Sequence, residues 1–241
     1  MAQYLSILLY VVGLVAGLWL AGGTIWVNLE TSLFASGVQR EAKLTPLDCP
    51  KLLSATETGV VRTKFSNETE RPLNFVVRAN ISNGYLTLIR QERATLRLQP
   101  GETQELAWEV AAADAVYGRV IMVRVNVLRN LSNPARDATC GILLIRSPLT
   151  GGQAVALALL LTVGGMGGGL ALWIWSKRPL TGRAREMTWI AGWLALLVMM
   201  LVAAGLLRYW MIGVLLLAFM LLMAGVLLER WGHLKSVTSV Q

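Results

Sequence analysis

The residues best able to do chemistry in this 241-residue chain are two cysteines, Cys49 and Cys140. Two cysteines can form a structural disulfide, a redox couple or part of a metal site. A redox or metal pair usually needs C-x-x-C spacing or a nearby histidine, and the only histidine, His233, lies near the C-terminus. We therefore predict a disulfide, with the redox or metal pair as the alternative. The disulfide would close a loop of about 90 residues and stabilise the folded state by about 4 kcal/mol in the chain-entropy model.

The chain offers little else for catalysis. The single histidine excludes a bis-His haem and a His-rich copper or zinc site, and its position past the predicted fourth span argues against a Ser-His-Asp triad within this chain. Neither a G-x-G-x-x-G turn nor a Walker-type Gly-Lys-Ser occurs, and the aspartates Asp48, Asp114 and Asp137 belong to no acid–base constellation. We therefore expect no enzyme activity, no catalytic residue, no metal site and no cofactor.

Glycines at four-residue spacing indicate a different kind of site. Small residues repeated in this way let two membrane helices approach closely, because lipid gives apolar helix faces no reason to associate. Glycine is also common in membrane helices generally, so isolated pairs are the weaker signal. Five glycines in residues 164–169 are a stronger one, since each weakens the helix unless packing compensates. The predicted helix-packing residues are Gly13, Gly17, Gly164, Gly165, Gly168 and Gly169.

The composition places these residues in a membrane protein with one polar insertion. Hydrophobic residues make up 55% of the chain and charged residues 15%, with a mean hydropathy of +0.55. Of the charged residues, 27 lie between Glu30 and Arg146. The net charge of +8 does not indicate nucleic-acid binding, because that segment holds 15 basic against 12 acidic residues without a basic stripe.

Uncharged runs predict four membrane spans. Tyr4 to Val27 is long enough to cross a hydrocarbon core of about 30 Å. The alternative, a signal peptide, fits less well because no Lys or Arg precedes the run and no A-x-A site follows. We therefore expect a retained anchor. Residues 187–228 carry one charge, Arg208, and a single helix of that length would be twice the core thickness, so two helices are expected.

Basic residues set the predicted orientation. Lys177, Arg178, Arg183 and Arg185 lie in one short loop, whereas the turn at the other side holds only Arg208. By the positive-inside rule this loop and both termini are cytoplasmic, and residues 29–149 are extracytoplasmic. The same four side chains are expected at the lipid headgroups. The composition is typical of a bacterial multi-pass protein of the inner (cytoplasmic) membrane.

The outer segment has the period-2 alternation of β-strands, with turn residues between the runs. Such short strands are typical of an antiparallel sandwich. The predicted strands are Val60–Phe65, Leu73–Ala79, Tyr85–Ile89, Ala94–Leu98, Gln104–Val110, Val120–Leu128 and Thr139–Ile145.

Four short motifs give this segment a family resemblance. They are Phe65-Ser66-Asn67-Glu68-Thr69, Leu98-Gln99-Pro100-Gly101-Glu102-Thr103, Trp108-Glu109-Val110 and Tyr117-Gly118-Arg119-Val120. In this order they resemble bacterial immunoglobulin-like or fibronectin-III-like modules. The resemblance covers residues 58–146 and none of the helices. It implies a β-sandwich and transfers no site residue.

The predicted fold is a membrane α-helical bundle of four transmembrane helices with an inserted extracytoplasmic all-β Ig-like sandwich. We divide the chain into a first helix (1–28), the sandwich (29–149), a second helix (150–176), a basic loop (177–186), a third helix (187–207), a fourth helix (208–229) and a cytoplasmic tail (230–241).

This architecture favours a non-catalytic accessory or structural subunit of a larger membrane assembly. The expected partners are other integral membrane subunits or copies of this chain, together with membrane lipids and no nucleic acid. The alternative is a ligand-binding sensor or transporter-associated protein, in which the outer domain captures an external ligand. A membrane-embedded enzyme ranks last, because no catalytic constellation is visible.

Overall fold

The structure is a computed structural model that describes residues 2–34, 42–44, 46–83, 88–128 and 135–223. The chain divides into two compact units, which we describe separately. One unit comprises Met1–Ile25 with Ala158–Gln241, and the other comprises Trp26–Leu157.

Three helices are long and apolar enough to cross a membrane: α1 (Ala2–Leu33), α2 (Gly151–Ser176) and α3 (Arg183–Leu206, of which Ala184–Leu206 is the apolar stretch). A shorter apolar helix, α4, is described from Trp210 to Met223. The predicted fourth span, 208–229, continues into residues outside the described part of the chain.

The helices begin and end beyond their apolar runs. The first helix continues five residues past the predicted boundary at 28, and α3 begins four residues before 187. The predicted basic loop 177–186 is therefore shorter, since its last four residues already form the first turn of α3. Hydropathy locates the apolar centre of a helix, whereas backbone hydrogen bonding continues into polar flanks.

A capping box starts α2. The backbone N–H of Gln153 donates a hydrogen bond to the Thr150 hydroxyl at 3.2 Å. The backbone N–H of Thr150 donates one to the side-chain oxygen of Gln153 at 3.0 Å. These two bonds satisfy backbone donors that the first helical turn would leave free. Gln153, one of the few polar residues of the predicted span, is thus a capping residue.

Eight strands form the β domain within the described residues. Six belong to one sheet, whose path runs β1-β8-β7-β4-β5 with β2 also paired to β8, and β3 pairs with β6 in a second sheet. The strands are β1 (Ala42–Lys43), β2 (Leu52–Ser54), β3 (Gly59–Ser66), β4 (Leu73–Asn83), β5 (Leu88–Leu98), β6 (Thr103–Val110), β7 (Val120–Val127) and β8 (Arg136–Ile145).

The two sheets share one hydrophobic core. Alternate residues of β4 and β7, such as Val77 and Val123, are fully buried in it. The second sheet adds side chains including Phe65 and Trp108. Period-2 burial along β3 gives the same alternation that the sequence shows. Two sheets with their apolar faces on a common core make a β-sandwich.

Two details of the predicted sheet were wrong. Ala94–Leu98 and the end of Tyr85–Ile89 belong to one strand, β5, paired with β4 along eleven residues; Tyr85 itself lies outside the described residues. The polar run in the middle of β5 resembled a turn because an edge strand need not bury those side chains. The sheet is also mixed rather than antiparallel throughout, since β1 and β2 pair with β8 in parallel.

Candidate interaction surfaces

The structure joins Cys49 and Cys140 in a disulfide, with Cα atoms 6.8 Å apart. Both residues lie in the core of the sandwich, where Cys140 belongs to β8 and is 2% exposed. The bond links the segment before β2 to the last strand of the sheet. Both cysteines pack among the apolar side chains of the core. No metal-binding group of three or more His, Cys, Asp or Glu residues occurs among the described residues.

One set of the predicted helix-packing glycines lies between α1 and α2. A Cβ atom on Gly13 would lie 2.6 Å from the Met166 amide nitrogen, and one on Gly165 would lie 2.8 Å from the Leu9 carbonyl oxygen. Gly17 and Gly169 are similarly enclosed, by Thr162 and Val198 and by Ser6 and Tyr10 respectively. The backbones therefore approach too closely for any larger residue.

The other predicted glycines face away from this contact. A Cβ atom on Gly164 or Gly168 would meet nothing within 4 Å, and the same holds for Gly167. Leu160, one turn earlier on α2, is 69% exposed. We call the surface formed by Leu160, Gly164 and Gly168 the free glycine face. In the described part of the chain no helix covers it.

Four hydroxyl groups in the bundle donate hydrogen bonds to backbone carbonyl oxygens. The hydroxyls of Ser6, Thr24 and Thr162 each donate to a carbonyl oxygen three or four residues earlier in their own helix, at 2.8, 2.8 and 2.7 Å. The Tyr10 hydroxyl donates to the Ala191 carbonyl oxygen at 2.7 Å and so links α1 to α3. Of these four hydroxyls, that of Tyr10 is the one that joins two helices.

The predicted headgroup residues follow α2. Lys177 is half-buried, with its Nζ 5.6 Å from the centre of the Trp173 ring, a cation–π contact. Arg178 and Arg185 are exposed. The backbone of Arg183 begins α3, and its side chain lies outside the described part.

An apolar cavity of about 200 Å³ lies between α1, α2 and α3, beside the basic residues that follow α2. Ile7 and Met187 at its rim are 47% and 52% exposed, so it opens on the surface of the bundle. Sequence reasoning missed the cavity because its residues come from three helices whose packing the sequence does not give. Its walls are Ser6, Ile7, Tyr10, Gly169, Leu170, Trp173, Met187 and Ala191.

In the β domain, three arginines share the outer side of β4 and β5, opposite the core. Arg78 and Arg93 are cross-strand partners, and Arg97 lies further along β5. None of them pairs with a carboxylate among the described residues. We call this surface the arginine face. Next to it, Asn126 of β7 is fully buried, and neither side-chain atom has a hydrogen-bond partner in the described part of the chain.

A buried ion pair fastens the end of α1 to the same side of the sheet. Arg124 of β7 is bonded to Asp137 of β8, and its Nη1 donates to the Phe34 carbonyl oxygen at 2.7 Å. Their side chains are 5% and 2% exposed. A cation at the C-terminus of a helix also meets the negative end of its dipole.

The pattern of residues along β7 does not indicate that this pair is buried. Arg124 and Asn126 alternate with apolar residues along β7, the usual pattern of a strand with one solvated face. Every residue of β7 is nevertheless buried. Helix α1 explains this, because Val27 and Thr31 lie against the Cα of Gly141 on the neighbouring strand and cover that side of the sheet.

Comparisons with known proteins establish no family. No family model matches the chain, and no curated protein is similar enough to count as a relative. Among solved structures, a β-glucosidase from Listeria innocua in complex with glucose matches with 15% identity and a TM-score of 0.32, over 42% of this chain and 16% of that one. This chain therefore spans a small part of that enzyme's length.

Two further structures are similar to about the same degree. A CARDB domain from Pyrococcus furiosus, in complex with di-metal ions, matches with 14% identity and a TM-score of 0.33, over 42% of this chain and 91% of that one. A Paenibacillus sp. cycloisomaltooligosaccharide glucanotransferase matches with 9% identity and a TM-score of 0.33, over 44% of this chain and 14% of that one. Similarity this weak establishes neither the fold family nor an activity.

Proposed function

We propose that this protein is a non-catalytic accessory subunit of a larger membrane assembly. The observation that carries the proposal is the free glycine face of α2. Of two glycine pairs at the same spacing, Gly165 and Gly169 pack against α1, whereas Gly164 and Gly168 have open space where a Cβ would be. Glycines in a helix interior each cost about 1 kcal/mol relative to alanine, and close contact with another helix is what compensates.

The proposed setting is a bacterial cytoplasmic membrane. The four spans that the sequence predicts would put both termini and the basic residues after α2 on the cytoplasmic side. The β domain would then be extracytoplasmic, where a disulfide between Cys49 and Cys140 persists. We also propose that its sandwich is of the immunoglobulin-like or fibronectin-III-like kind, on the motifs given above.

The outer domain supplies a second docking element. Strand β5 ends the path of the larger sheet, so one edge of it is without a neighbouring strand in the described part of the chain. Such an edge can pair with a strand of another chain, while its charged residues disfavour non-specific pairing. A partner held by both the free glycine face and the edge of β5 would be bound within the bilayer and outside it.

Photo-crosslinking in native membranes tests the docking of the free glycine face. We expect a photoreactive residue at position 160 to crosslink a second polypeptide, because Leu160 lies one turn from Gly164. The same group in place of Leu215 of α4, which is also 69% exposed, should give lipid adducts only. Adding Gly168→Leu should abolish the protein crosslink, whereas Gly192→Leu, also at an open helical glycine, should leave it. Lipid adducts alone at position 160 would contradict the proposal.

The arginine face favours a second candidate function, the binding of an anionic external ligand. Guanidinium groups bind carboxylates and phosphates through paired hydrogen bonds, and these three have no carboxylate of their own in the described residues. Calorimetric titration of the full chain with citrate and with phosphate tests this. Binding that Arg93→Gln weakens and Arg62→Gln does not would support it, and the absence of heat would oppose it.

A further inference from the structure

The geometry points to a binding site for one anionic membrane lipid, with an acyl chain in the cavity between α1, α2 and α3 and the headgroup on Lys177. This inference rests on the proposed placement of the helices in a bilayer, and it needs no partner subunit. It therefore goes beyond the accessory function and can be tested on the chain purified alone.

The shape of the site comes from Gly169. Its missing side chain lets α1 and α2 meet at the cavity wall, where a Cβ would lie 2.7 Å from the Ser6 carbonyl oxygen and 2.8 Å from the Tyr10 amide nitrogen. Ala191 of α3, a small residue, also lines the cavity. About 200 Å³ remains, open at the bundle surface beside Ile7 and Met187. Lipid chains surround that surface in a bilayer.

The polarity of the walls selects a hydrocarbon chain. The two hydroxyls in the lining, those of Ser6 and Tyr10, donate their hydrogens to the carbonyl oxygens of Gln3 and Ala191. Neither is left to donate to a ligand. A quinone or another ligand with carbonyl groups would bury acceptors without donors, which costs free energy. An acyl chain has no such requirement.

The charge beside the cavity selects an anionic headgroup. Trp173 lines the cavity, and the Lys177 ammonium lies 5.6 Å from the centre of its ring. Arg178 follows on the same segment, and residues 177–186 contain four basic residues against the single acid Glu186. A basic residue near an anionic lipid surface strengthens binding about fivefold. The cation and the apolar cavity meet at one indole ring, so a single lipid can contact both.

Native mass spectrometry of the detergent-purified full chain tests the site. The probes are phosphatidylglycerol and phosphatidylcholine with identical acyl chains. We expect the wild-type chain to retain phosphatidylglycerol at least about fivefold better. Lys177→Gln should remove that preference, and Lys64→Gln, which removes a lysine from the β domain, should preserve it.

A cavity-filling variant tests the acyl-chain half of the site. Ala191→Phe should lower retention of both lipids about tenfold or more, since several methylene groups lose their apolar surroundings. Ala171→Phe makes the same change at an exposed position of α2 and should have no effect. Equal retention of the two lipids by the wild type, or wild-type retention by Ala191→Phe, would overturn the inference. If Ala191→Phe does not fold, Lys177→Gln decides it.

Discussion

At the scale of residues, the β domain depends on polar groups buried between α1 and the larger sheet. Arg124 joins three parts of the chain, since it belongs to β7, pairs with Asp137 of β8 and donates to the Phe34 carbonyl oxygen at the end of α1. A buried charge is costly unless it is paired, so this arrangement fixes one position for the helix end. The domain therefore has little tolerance for losing either partner.

We predict that Arg124→Met lowers the unfolding free energy of the β domain by about 3–5 kcal/mol, because Asp137 would keep a buried charge without its main cation. The same replacement at Arg97, exposed on the same side of the sheet, should change it by less than about 0.5 kcal/mol. Pulse proteolysis of the full chain in detergent across a urea series measures both. Equal midpoints for the two variants would show that the pair contributes nothing.

Turn residues show what could be predicted at this scale. Asn67 is 1% exposed, and its side-chain nitrogen donates to the Arg71 and Leu98 carbonyl oxygens while its oxygen accepts from Thr69. Gly101 adopts φ +76°, as the second central position of a Pro-Gly turn requires. The sequence motifs identified both turns. The sequence could not indicate that Arg124 and Asn126 are buried, because their burial depends on α1 covering β7.

At the scale of elements, α1 and α2 pack through one of two glycine pairs. Both pairs have the same spacing, so the sequence predicted close contact without showing which pair makes it. The choice depends on how α2 is rotated about its axis, and therefore on the packing of the whole bundle.

Hydropathy located all three long helices. The alternation of apolar and polar residues located the strands after residue 58, although it wrongly divided β5 into two strands. The short parallel strands β1 and β2 gave no periodic signal.

The difference between the two pairs gives a matched test. Gly165→Val should destabilise the bundle by about 1–3 kcal/mol, because its Cβ would lie 2.9 Å from the Gly13 Cα atom and force the helices apart. Gly164→Val, one position earlier in open space, should not. The dodecyl sulfate concentration that unfolds the purified chain, followed by circular dichroism, measures the effect. A larger loss for Gly164→Val would mean that α2 is rotated differently.

For the whole molecule, we propose that the helices lie in a membrane and that the β domain is extracytoplasmic. We predict that alkaline phosphatase fused after Thr150 is active, because the fusion point follows the outer domain, and that it is inactive after Thr181, in the basic segment. Green fluorescent protein fused at the same points should give the opposite pattern. Active phosphatase at position 181 would reverse the proposed orientation.

We propose that this chain works as a subunit of a larger assembly. This proposal is tested by the mass of the particle extracted from native membranes in a gentle detergent, together with mass spectrometry of every polypeptide that co-migrates. We expect a stoichiometric complex with other membrane proteins or with further copies of this chain. A homogeneous particle containing one copy of this 26.3 kDa chain and only lipid and detergent would show that the chain is not a subunit of such an assembly.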